Sequence, residues 1–66
     1  MTRNEIVAKM FNCTEFEAGE IKDDQEIDMF FLMDTSIKFD RPIAVDDTRH
    51  IIVGDIVAIL IQAPRT

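Results

Sequence analysis

A chain of 66 residues, 47% hydrophobic, makes one small domain spanning residues 1–66. A chain of this size buries only about 60% of its unfolded surface, which leaves little room for a deep catalytic cleft beside a core. Thirteen Asp and Glu against seven Lys and Arg give a net charge of −6, which disfavours nucleic acid and anionic membrane surfaces and favours a basic surface on a partner protein.

The first element is announced by Thr2-Arg3-Asn4-Glu5, the spacing of a capping box in which two side chains satisfy each other's orphan amides. Ile6, Val7, Met10 and Phe11 then mark one apolar helical face, and Asn12-Cys13-Thr14 ends it. Cys13 is the only cysteine, so no intramolecular disulfide or cysteine-based metal site forms, and it reads as a small packing residue. Residues 14 to 28 read as an acidic linker. Glu15, Glu17, Glu20, Asp23, Asp24, Glu26 and Asp28 are opposed only by Lys22; Gly19 permits a bend, and Ile21 and Ile27 pin the loop to the core. Its plain role is solubility; its functional one is a charged docking face.

Asp28 caps a second helix. Met29, Met33 and Ile37 fall at i, i+4 and i+8, with Leu32 and Phe39 on an adjoining stripe, so a buried, nearly all-apolar first turn is expected. Pro42 stops it. Asp46 to His50 is polar, with room for one helical turn. Val53, Ile56, Val57, Leu60 and Ile61 match the amphipathic helix template, and Pro64 closes that helix. The Ile/Val-rich run leaves one rival reading, a fully buried strand in an SH3-like barrel built around residues 51 to 57. The apolar run Ile56 to Ile61 is too short to span a bilayer, and residues 1 to 20 lack the apolar run of a signal peptide. The expected setting is cytoplasmic.

Three stretches together resemble the acyl carrier protein family: Ile21 to Ile27, Phe39-Asp40-Arg41-Pro42-Ile43, and Ile51 to Leu60. The resemblance implies an all-α fold, a small three- to four-helix bundle, with a short third helix between Ile43 and Ile51. It also implies an acidic recognition surface, a 4'-phosphopantetheine arm on a serine, and a place in fatty-acid or polyketide-type metabolism. Ile52 departs from it, standing where the family has a capping Thr. The attachment motif departs further, because the interval from Ile27 to Phe39 is too short and the only serine is Ser36.

Two alignments follow. In one, Phe30 to Ile37 is a degenerate attachment motif and Ser36 carries the arm. In the other, Asp28 to Phe39 is the second helix itself, Gln25 or Glu26 stands near the missing serine, and Ser36 is an ordinary polar residue. Core economy favours the second. Either way Glu20, Asp23, Asp24, Glu26 and Asp28 are the expected docking residues. The implied partners are basic-surfaced proteins: acyl-handling enzymes, and a phosphopantetheinyl transferase if Ser36 is modified. An acidic antitoxin- or inhibitor-like module is the alternative from another class. Enzymatic activity is not expected, since the lone His50 lacks a nucleophile or metal partner. Asp40, Asp46 and Asp47 lack the glycine and distal glutamate of a calcium loop and read as helix caps, so no metal is expected.

Overall fold

The computed structural model describes residues 1–62. In chain order they form α1 (Arg3–Phe11), α2 (Glu15–Glu20), β1 (Glu26–Ile27), α3 (Met29–Lys38), β2 (Ile51–Ile52) and α4 (Val53–Gln62). The described chain is therefore mostly helical.

α1 starts as its sequence demands. The Glu5 amide donates to the Thr2 hydroxyl at 3.2 Å, and the Thr2 amide donates to the Glu5 carboxylate at 2.8 Å. Asn12 closes the helix in the left-handed region, φ 55°, a conformation asparagine tolerates well. Ile6, Val7 and Met10 are buried, and Phe11 and Cys13 pack at the margin of the core. α2 corrects the linker reading. Thr14 and Glu17 repeat the same box, at 3.1 Å in both directions, and start a helix that buries Ala18. Gly19 lies inside this helix and makes no bend. Ile21 and Ile27 do pack against the core.

α3 is capped by Asp28, whose carboxylate accepts from the Phe31 amide at 2.7 Å. Its burial corrects the expected face. Leu32 and Thr35 point inward, whereas Met29, Met33 and Ile37 are 37%, 55% and 76% exposed and Phe30 is 81% exposed. The inward stripe is set by the contact with α1, where the Phe11 and Phe31 ring centroids lie 4.7 Å apart. The buried Thr35 hydroxyl is satisfied within the helix, donating to the Phe31 carbonyl at 2.9 Å.

α4 buries Val53, Ile56, Val57 and Leu60 at the centre of the core, which removes the SH3-like alternative; Ile61 stays exposed, and Pro64 lies outside the described residues. The all-α expectation is corrected in one detail. β1 and β2 pair antiparallel, Glu26 opposite Ile52 and Ile27 opposite Ile51. This pair explains how α4 begins without a capping side chain: the Val53 amide donates to the Gln25 carbonyl at 2.9 Å and the Gly54 amide to the Asp23 carbonyl at 2.8 Å. Backbone from the acidic segment thus does what the absent Thr would do. No helical turn forms between Ile43 and Ile51, where the chain runs through bends and turns. Asp47 is correspondingly a turn residue and not a helix cap, accepting from the Arg49 amide at 2.9 Å.

Candidate functional site

Two cations are drawn inward to helix ends. Arg3 of α1 donates to the Ala18 carbonyl at 2.7 Å and to the Ile21 carbonyl, closing the C-terminal end of α2, and also meets Asp23 at 3.1 Å. Lys38 of α3 donates to the Met10 carbonyl at 3.0 Å at the end of α1, with Asp34 3.4 Å away. Positive charge is favourable at both places, the carbonyl ends of helices. Neither role had a signal in the sequence, because each joins residues far apart in the chain.

All seven acids between Glu15 and Asp28 are exposed. The five expected docking residues nevertheless differ in role. Asp28 caps α3, Asp23 is tied to Arg3, and Glu26 sits in β1 with its carboxylate 3.3 Å from His50 Nδ1. Glu20, at the end of α2, and Asp24 stand outside these pairs as exposed charges. Glu17 is held below the ordinary glutamate range, first by the Thr14 amide and then by its hydroxyl; Glu5 is held down likewise by Thr2.

Ser36 lies in the last turn of α3, half-buried, and donates its hydroxyl to the Arg41 carbonyl. No helix starts at this residue; α3 runs from Met29 to Lys38, through it. A phosphodiester there would replace the donor that the Arg41 carbonyl uses, and Gln25 and Glu26 offer no hydroxyl. The arm therefore fits the described residues poorly. The chain matches no family model, no curated protein and no solved structure.

Two open cavities flank the segment between α3 and β2. One, about 450 Å³, brings together Asp46, Asp47, His50 and Asp55 beside Ala58 and Ile59. No group of three side chains suited to hold a metal occurs among the described residues. The other, about 550 Å³, lies between the outer face of α3 and residues 42 to 48, with Leu32 and Ser36 among its lining. No described helix is long and apolar enough to cross a membrane.

Proposed function

We propose that the chain is an acyl-carrier-like helical module that docks on basic partner enzymes through its acidic edge, without a phosphopantetheine arm. One observation carries this reading. The seven acids from Glu15 to Asp28 all face solvent, and within that stretch only Lys22 and the Arg3 that meets Asp23 oppose them, so the edge keeps a net negative charge. A surface of this kind steers a positively charged partner and fixes its orientation more than it adds affinity. The engaged Ser36 hydroxyl supports the armless version over the thioester shuttle.

The test uses a carrier-modifying enzyme with a basic docking face, a promiscuous phosphopantetheinyl transferase. Incubation with coenzyme A should leave the mass of the chain unchanged; a gain that disappears in Ser36→Ala would make it a loaded carrier instead. The transferase should still bind, with an affinity that falls as salt rises and falls further in Glu20→Lys/Asp24→Lys. Binding indifferent to both salt and the charge reversals would remove the docking reading.

A further inference from the structure

Asp23 is held from two sides. Its carboxylate oxygen Oδ1 accepts from Arg3 Nε and lies 3.1 Å from Arg3 Nη2, while its carbonyl accepts the Gly54 amide of α4 at 2.8 Å. Two residues on, the Gln25 carbonyl takes the Val53 amide at 2.9 Å, and the Gln25 amide closes a turn onto the Lys22 carbonyl at 3.1 Å. Residues 22–25 thus form a strap that α1 grips through Arg3 and on which α4 starts. The residue before α4 is Ile52, whose side chain has no acceptor to offer if the strap lifts.

The two partners in the grip are unequally fixed. Every N–H of the Arg3 guanidinium is used: Nη1 serves the Ala18 carbonyl and the Asn4 side-chain oxygen, Nη2 serves the Ile21 carbonyl and Asp23, and Nε serves Asp23 again. Its side chain is 28% exposed, whereas that of Asp23 is 68% exposed. Among the described residues nothing donates to the other carboxylate oxygen of Asp23. A cation arriving there shares one negative charge with Arg3, so each weakens the other's hold. Arg3 stays, anchored on the two carbonyls, and Asp23 is the side that moves. Its backbone carries the motion to α4 directly. That contact has little slack, since a Cβ on Gly54 would lie 3.0 Å from Asp23 Cβ.

We propose that residues 22–25 act as a release strap: drawing Asp23 off Arg3 opens the first turn of α4 while the rest of the fold stays closed. A cation on the acidic edge therefore loosens Val53 and Gly54, and by linkage an opened strap offers that edge a freed carboxylate. The inference takes from the docking reading only that a partner's cation reaches Asp23. Openings of this kind are local and are read by amide exchange.

The experiment is amide hydrogen exchange by NMR on the full chain. Asp23→Ala keeps the Cβ at the Gly54 contact and removes the carboxylate. It should speed exchange at Val53 and Gly54 about tenfold or more, the equivalent of one lost charge-assisted bond. Leu32 of α3 and Leu60 of α4 should keep their rates. Asp24→Ala, the same charge change one residue on, should leave Val53 and Gly54 as they are. Unchanged rates in Asp23→Ala, or a rise shared equally by Leu32 and Leu60, overturn the strap. A second arm needs no variant: an oligo-arginine peptide at low salt should shift the Glu20 and Asp24 amide signals and raise exchange at Val53 and Gly54. A peptide that shifts Glu20 and Asp24 but leaves those two rates alone overturns the coupling and leaves the docking reading standing. One that shifts no signal overturns the trigger together with the docking reading.

Discussion

Glu5 and Glu17 occupy the same place in two capping boxes, and in each the threonine amide comes first in holding the carboxylate below the ordinary glutamate range. The folded state therefore binds fewer protons than the unfolded chain as acid is added. The contribution is complete above the ordinary glutamate value and is lost as pH falls through the depressed one. The thermal midpoint should fall as pH drops from about 5 toward 3. Glu17→Gln keeps an acceptor oxygen for the Thr14 amide and removes the proton, so it should flatten part of that slope; an unchanged slope would place the acid sensitivity elsewhere. Arg3 makes a second residue-scale case. Its planar fork reaches two carbonyls and Asp23 at once, a geometry that a lysine ammonium cannot copy. Arg3→Lys should cost about 1–2 kcal/mol in urea unfolding, whereas a loss near zero would mean the α2 end needs no partner.

At the scale of elements, α4 depends on the acidic segment for its start. Gly54 is required by that junction. A Cβ there would lie 3.0 Å from Asp23 Cβ and 3.2 Å from the Asp23 carbonyl oxygen, which already accepts the Gly54 amide. Exposed helical glycines normally gain about 1 kcal/mol on replacement by alanine. Here Asp23 is held by Arg3 as well, so Gly54→Ala should instead lose about 1 kcal/mol through overpacking. A raised thermal midpoint would show that the segment gives way freely. α3 depends on its own cap, and Asp28→Ala should cost about 1 kcal/mol, with Asp28→Asn largely restoring it. These two junctions place the acids of residues 23 to 28 in structural as well as docking roles, so charge reversals that probe docking belong at Glu20 and Asp24.

For the molecule as a whole, a charge of −6 on 66 residues works against compactness. Adding salt to about 0.5 M screens exposed like charges over more than a few ångströms. The thermal midpoint should rise by about 4 °C, the equivalent of roughly half a kcal/mol for a domain this small. A fall would mean that the pairs Arg3–Asp23 and Lys38–Asp34 contribute more than the general repulsion takes away. The same screening should weaken the transferase complex, so stability and binding should respond to salt in opposite directions.

Where local rules were sufficient, the chain itself determined the outcome. Thr2 and Glu5 start α1, Asp28 starts α3, and the spacing of Val53, Ile56, Val57 and Leu60 makes α4 a helix despite its Ile/Val content. Each is a pattern within about one to two turns, and such patterns depend on neighbours in sequence. α2 lay within the same rules, since Thr14-x-x-Glu17 is a capping box. It went unread because six residues with one buried side chain show no apolar period. Tertiary structure alone decided which side of α3 faces inward: two stripes were available, and contact with Phe11 of α1 chose Leu32 and Thr35, leaving the methionines in water. It also decided that residues 26–27 and 51–52 pair and that carbonyls of residues 23 and 25 cap α4. Those bonds join segments more than twenty residues apart, and their strength depends on a chain path that no local spacing encodes. The acidic edge was therefore legible as composition, and its bonds to α1 and α4 only as geometry.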